Sequence, residues 1–139
     1  METSASEPME LDVVAWVHVS HGRILAVRAR GRDLLYLPGG KREPGEDDWS
    51  ALSREVREEL ALELDRDSFR ELGVIRTVAH DQPSYDRVRM ACFTAGYTGE
   101  ITAAGEVDEY RFVTRAERHL LAPAARAALD LAIGRGLLS

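Results

Sequence analysis

Hydrophobic positions along the chain first alternate and then stride. In residues 11–19, Val13, Ala15, Val17 and Val19 fall on one side and Val14, Trp16 and His18 on the other, the period-two signature of a strand. Residues 24–27 resume it after His21-Gly22, which predicts a hairpin. A third apolar run, 34–37, reads as a short strand that stops at Pro38-Gly39-Gly40. The chain is then polar until about Asp47, where the spacing becomes helical and Trp49, Leu52, Val56 and Leu60 form one apolar stripe. Strands are expected at 72–79, 88–97 and 107–113, separated by a polar loop at 80–87 and a turn near Gly99. From Pro123 onward, Ala125, Leu129, Ile133 and Leu137 recur every fourth residue and predict a second helix. Strands, helix, strands, helix without internal repeat is the order of an α/β fold, a mixed sheet flanked by helices.

Size and composition narrow this picture. A chain of 139 residues with 45% hydrophobic content is expected to build one domain, residues 11–139, behind a disordered tail of residues 1–10. No apolar run approaches the roughly 20 residues of a membrane helix, and the first eight residues are small, polar and acidic, unlike a secretory leader. A cytoplasmic protein with no membrane partner is expected. The net charge of −6 disfavours a long nucleic acid, whereas a small nucleotide is acceptable because metal ions can neutralise its phosphates. The single cysteine, Cys92, has no internal disulfide partner, and Met90, Ala91 and Phe93 around it indicate a buried strand. His18 and Trp16 share a strand face, on which they line a ligand pocket or His18 faces solvent or is merely hydrogen-bonded.

The candidate chemistry lies in the polar stretch and the helix behind it. Glu55, Glu58 and Glu59 stand at i, i+3 and i+4, so their side chains leave one helix surface within reach of a shared ion. Like charges four apart oppose helix formation by about 0.2–0.5 kcal/mol, a local cost that a divalent cation reverses. Oxygen ligands without His or Cys point to Mg²⁺ or Mn²⁺ rather than zinc. By itself the helix would favour a solvated face with an ordinary Arg54–Glu58 pair. The spacing over the whole segment decides against that.

Gly40, Glu46, Arg54, Glu55, Val56, Glu58, Glu59 and Leu62 match the Nudix box, Gly-x5-Glu-x7-Arg-Glu-U-x-Glu-Glu-x-Gly-U with U aliphatic. An accidental match has odds on the order of one in a million from average residue usage. The chain therefore resembles the Nudix hydrolases. One position departs: Ala61 stands where the family has a glycine that ends the helix in a left-handed conformation. Either Ala61 takes that conformation at a cost of roughly 1 kcal/mol, or the helix runs on through Leu64.

The resemblance implies an α/β/α sandwich and a set of roles. Glu55, Glu58 and Glu59 bind divalent ions, Mg²⁺ or Mn²⁺, with the Gly40 carbonyl, and Glu46 pairs with Arg54 to brace the loop against the helix. A late acid before the last core strand is a further metal ligand or general base; Glu109 is the first choice and Glu106 the second. Lys41 and Arg28 are placed to hold phosphates, and Tyr85 in the 80–87 loop to close over a base. The implied activity is Mg-dependent cleavage of a phosphoanhydride in a nucleoside di- or triphosphate or a nucleoside diphosphate linked to another group, in nucleotide-pool housecleaning or in ADP-ribose or sugar-nucleotide turnover. A nucleotide-sensing module without catalysis is the alternative from another class. Isomerase chemistry on an isoprenyl diphosphate needs a reactive group beyond the box, for which Cys92 is a poor candidate. Other phosphate motifs fail: Glu46-Asp47 follows Gly45 where a P-loop needs Lys and then Ser or Thr, and Gly134-Arg135-Gly136 follows a helix. The Ala-rich last helix packs on its own sheet or on a second copy in a homodimer.

Overall fold

Alternation yields strands where it was expected, but the chain deals them to two sheets. The computed structural model describes residues 9–80 and 84–139. The elements are β1 (Glu10–Trp16), β2 (Val19–Ser20), β3 (Arg23–Ala29), β4 (Gly39–Lys41), α1 (Asp48–Leu60), β5 (Glu63–Leu64), β6 (Arg70–Val78), β7 (Arg87–Thr94), β8 (Tyr97–Thr98), β9 (Val107–Val113) and α2 (Pro123–Gly134). One sheet runs β4-β1-β7-β6, with β1 parallel to β7 and antiparallel to β4; a second runs β2-β3-β9, and β5 pairs with β8. The expected strand 11–19 is thus broken at Val17-His18. There the Val17 amide donates to Phe93 and the His18 carbonyl accepts from Leu25, so the backbone passes from one sheet to the other.

Period-two alternation then sorts both sheets into two apolar layers. Val14 and Trp16 of β1, Ala91 and Phe93 of β7, and Leu25 and Val27 of β3 pack with Leu52, Val56 and Leu60 of α1. The alternate residues, Ala15, Met90, Cys92, Ile24 and Ala26, pack with Ala125, Leu129 and Ala132 of α2. This is the expected mixed-sheet sandwich with a helix on each side. Cys92 is fully buried, and burial pushes its thiol up to about 12, consistent with a packing role.

Three local expectations are corrected. Residues 34–37 form only single bridges, Tyr36 to Val27 and Leu35 to Leu121, and the strand lies instead in the glycine stretch that read as a loop. In β4 a Cβ on Gly39, at φ +146°, would overlap the Val14 carbonyl oxygen of β1, so the approach of the two backbones requires glycine. Leu137 lies beyond the end of α2 and is exposed, while Leu138 turns inward, so the helical stripe ends one turn early. The strand begins at Glu10, and the Met9 carbonyl accepts from the Asp86 amide; residues 1–8 of the expected tail lie outside the described residues. Among the described residues no helix is long and apolar enough to cross a membrane.

Helix α1 starts and stops for local reasons. Asp47 caps its first turn by accepting from the Ser50 amide at 2.8 Å. Ala61 ends it at φ 60°, ψ 36°, its amide donating to Arg57, so the helix does not run on through Leu64. Because a Cβ is strained in that conformation, Ala61→Gly is expected to stabilise the protein by about 1 kcal/mol and raise its melting temperature by a few degrees. A lower melting temperature in a thermal scan would contradict that account.

Candidate active site

Strand β4 lies directly against the acidic face of α1. The Gly39 amide donates to Glu59 Oε1 at 3.1 Å. A Cβ built on Gly40 would stand 2.5 Å from Glu55 Oε2, so the second glycine is needed for the carboxylate to lie on the backbone. Gly40→Ala is therefore expected to push Glu55 aside and lower turnover at least tenfold while leaving the melting temperature close to wild type, since the displaced atoms belong to a side chain and not to the core. Kinetics alongside a thermal scan check it; full activity would remove Gly40 from the site.

Arg54 ties loop to helix. Its Nε and Nη2 donate to the two oxygens of Glu46 at 2.7 and 2.9 Å, and Nη2 also donates to the Lys41 carbonyl at 3.1 Å. The Arg54 hydrogen bonds, together with the Glu43 amide, hold the Glu46 carboxyl down to about 2. Glu46 in turn accepts from that amide at 2.7 Å, closing the turn at Gly45. Both side chains are largely shielded, 19% and 16% exposed, so the pair is held in one geometry and is not a loose surface contact. The bracing expected of Glu46 and Arg54 is the arrangement found.

The three helix carboxylates do not converge on one point. Glu58 turns to Arg54, whose Nη1 lies 3.2 Å from Glu58 Oε1 and 3.3 Å from Glu55 Oε2. Glu55 and Glu59 hydrogen-bond each other beneath the glycine strand. Accordingly, no group of three acidic, His or Cys side chains among the described residues forms a ready-made cation site. The reason is Arg54, which draws Glu58 aside while Glu55 and Glu59 stay together. Burial, reinforced by the neighbouring Glu55, pushes Glu59 up to about 8 despite the opposing Gly39 amide; burial also raises Glu55, against the pull of Arg54.

The late acids separate. Glu109, opposite Arg28 in the β3–β9 ladder, accepts from Arg28 Nε at 2.8 Å and pairs with its Nη2. Both expected roles, metal ligand for Glu109 and phosphate contact for Arg28, thus meet side chains already engaged with each other. The loop before β9 instead reaches α1: the Ala104 amide donates to Glu59 O at 2.9 Å and the Thr102 amide to Leu60 O at 3.0 Å. Gly105 follows, its Cβ position 3.0 Å from Glu58 O, with exposed Glu106 next in sequence.

A cavity of about 250 Å³ runs between the sheets from this helix face. Gly39, Gly40, Lys41 and Glu59 line it, as do Val13 and Ala15 of β1, Met90 of β7, Val27 of β3, Val107 of β9 and the first turn of α2. Arg32, Tyr36 and His80 contribute its other polar side chains. Lys41 is where a phosphate contact was expected. Tyr85 is half-buried against the α2 side of the core and is not part of the lining; Asp81, Gln82 and Pro83 of its loop lie outside the described residues. Tyr36 and His80 were missed, Tyr36 because it read as strand and His80 because it read as the start of a loop. His18 stacks on Trp16 at 4.9 Å and meets Tyr97 edge-on, away from the cavity, and Trp49 packs edge-on against Phe69 at 5.3 Å.

A glycine strand lies on a helix of paired carboxylates, is braced by an Arg–Glu bond and opens on a cavity between the two sheets. The family model for the NUDIX domain matches residues 9–131, and the chain belongs to the Nudix family. Its fold is similar to the Escherichia coli ORF135 protein, with TM-score 0.73 at 25% identity over 91% of each chain. It is also similar to a MutT NUDIX hydrolase from Burkholderia pseudomallei, with TM-score 0.70 at 23% identity over 88% of this chain and 98% of that one. A bifunctional NMN adenylyltransferase/ADP ribose pyrophosphatase from Francisella tularensis, complexed with AMP and Mn ion, aligns at TM-score 0.69 and 17% identity over 94% of this chain and 43% of that one. No curated protein sequence matches the chain.

Proposed function

We propose that this protein is a hydrolase dependent on Mg²⁺, with Mn²⁺ able to substitute, that cleaves a phosphoanhydride bond in a small nucleotide: a nucleoside di- or triphosphate or a nucleoside diphosphate linked to another group. The observation that carries this reading is the Glu55–Glu59 pair held under Gly39 and Gly40, with Glu59 lining the cavity. Two adjoining carboxyls in a shielded place are an unfavourable arrangement for stability and a favourable one for a hard cation, which prefers oxygen donors. The residues therefore fit a divalent ion. Glu55 and Glu59 would hold it with the Gly40 carbonyl, and Glu58 would join by releasing Arg54, which keeps its two bonds to Glu46. Such an ion supplies charge neutralisation on phosphoryl oxygens and lowers the pKa of attacking water.

The chain's own residues do the rest. Arg54 and Glu46 fix the loop so that the Gly39 and Gly40 backbone keeps its distance from α1. Lys41, on the cavity lining, meets the phosphates as a point charge. Glu106 replaces Glu109 as the late acid, because its loop is bonded to the carbonyls of Glu59 and Leu60 while Glu109 is paired with Arg28. The deciding experiment measures release of phosphate or pyrophosphate from canonical and oxidised nucleoside triphosphates, nucleoside diphosphates, ADP-ribose and sugar nucleotides, with Mg²⁺ and with chelator. Metal-dependent cleavage of one class is expected. Silence across the panel from folded protein would replace the hydrolase with a nucleotide-sensing module.

A further inference from the structure

Strand β4 carries the backbone that meets the carboxylates, yet little of its own holds it in place. It is three residues long, Gly39, Gly40 and Lys41, and stands at the edge of the four-stranded sheet. Glycine has no side chain to pack and leaves the backbone its widest freedom, so the position of β4 depends on what pins its ends. At the start, the Pro38 carbonyl accepts from the Trp16 amide at 2.8 Å. At the end, Arg54 Nη2 donates to the Lys41 carbonyl, and Arg42 follows. The β1–β4 register, with Val13 opposite Lys41, sets Arg42 opposite Asp12 when carried one residue further. Arg42 Nε lies 3.8 Å from Asp12 Oδ2, and its Nη1 pairs with Asp48, the first residue of α1. Asp12 is held in turn by Arg89 Nη1, at 3.1 Å, from the residue opposite it on β7.

We infer that Arg42 is a positioning residue of the candidate metal site: it pins the glycine strand to β1 and to the first turn of α1, and through that strand sets the Gly39 amide on Glu59 and the Gly40 backbone on Glu55. The inference rests on the proposed metal-dependent hydrolase and deepens it. Arg42 falls between Gly40 and Glu46, at a position the motif leaves unspecified, so the resemblance assigns it no role. Its chemistry suits the task. A guanidinium presents donors in several fixed directions and can serve carboxylates on two elements at once, whereas an ammonium is a single point charge. Partly exposed ion pairs of this kind add little to global stability. Their effect falls on ion binding instead, because coordination tolerates only small displacements of the backbone and side chains that present the ligands. Arg54 and Arg42 thus divide the work: the first ties the loop to the middle of α1, the second ties the end of β4 to its sheet and to the start of α1.

The test measures ion binding without substrate. Mn²⁺ is titrated by electron paramagnetic resonance, with competition by Mg²⁺, into wild type, Arg42→Met, Arg42→Lys, Asp12→Asn and the double variant Asp12→Asn/Arg42→Met. Binding that Glu59→Gln abolishes is scored as the site. Arg42→Met is expected to weaken it about three- to tenfold, less than the loss of a partner bonded directly to a ligand. Asp12→Asn should weaken it in the same direction, and the double variant should be no weaker than Arg42→Met, because both changes remove one coupled pair. Arg42→Lys should recover part of the affinity. Melting temperatures in chelator are expected to stay within a few degrees of wild type, as the weakness of such pairs requires. Asp12→Asn, on β1, keeps the test decisive where Arg42→Met fails to fold. Wild-type affinity in folded Arg42→Met would overturn the positioning role, as would effects of the two single variants that simply add. Absence of the site from folded wild type would refute the metal-dependent hydrolase itself, and the role of Arg42 with it.

Discussion

Glu59→Gln is expected to lower metal-dependent turnover on the order of a thousandfold and, in the same protein, to raise the melting temperature of the metal-free form at pH 8. The two effects share one cause. Glu59 is shielded beside Glu55, and its charged form is disfavoured enough to push its carboxyl up to about 8. An amide of the same shape keeps an oxygen for the Gly39 amide, now 3.1 Å from Glu59 Oε1, and removes the like charge facing Glu55. Folding gains what cation binding loses. Steady-state kinetics at saturating Mg²⁺ paired with a thermal scan in chelator separates this from simple misfolding. A variant that is both less active and less stable would mean that Glu59 is structural.

The second large effect is a pH dependence of stability that a divalent cation abolishes. Glu59 has its folded-state value raised from 4.5 to about 8, so between those limits the folded chain holds a proton that the unfolded chain has released. Its contribution is fully present below about pH 4.5 and is lost as pH climbs towards 8, with a slope near 1.4 kcal/mol per pH unit for one proton. Burial lowers His18, which acts in the opposite direction below 6.5, so the cleaner quantity is the difference between wild type and Glu59→Gln. Denaturant or thermal melts in chelator from pH 5.5 to 8.5 should show the wild type losing ground to the variant by on the order of a few kcal/mol. With millimolar Mg²⁺ the wild type should recover at the alkaline end, because the ion binds the deprotonated folded form. Parallel curves in chelator would refute the coupling of Glu59 burial to ion binding.

What was legible in the sequence follows from range of interaction. The Glu46–Arg54 brace, which the resemblance implied, the carboxylate face of α1, which helical spacing implied, and the αL ending at Ala61, one of two outcomes left open, depend on residues within a few turns of one another. Strand β4 escaped because glycines carry no hydrophobic signal; what makes Gly39-Gly40 a strand is the closeness of Val14 on one side and Glu55 on the other. The pairing of Glu109 with Arg28 was not legible because it depends on the β3–β9 register, which joins residues far apart in sequence. Tyr36 and His80 come from distant loops that meet only when the two sheets do. Helical spacing specifies a shared face for Glu55, Glu58 and Glu59 and not their rotamers, so the turn of Glu58 to Arg54 was not legible.

The crossover at Val17-His18 constrains how the cavity can evolve. It is a single two-residue span, bonded to Phe93 on one side and to Leu25 on the other, and it joins β1, which lines the cavity, to β2, the neighbour of the lining strand β3. The gap between the sheets is therefore set by covalent chain and backbone hydrogen bonds, leaving little freedom for the walls to part around a larger ligand. New substrates would have to be accommodated by trimming or enlarging inward side chains such as Met90 and Val27, or by altering Arg32, Tyr36 and His80 on loops that are free to vary in length. Chemistry and scaffold are held constant by the same short link, and selectivity is left to a handful of replaceable positions.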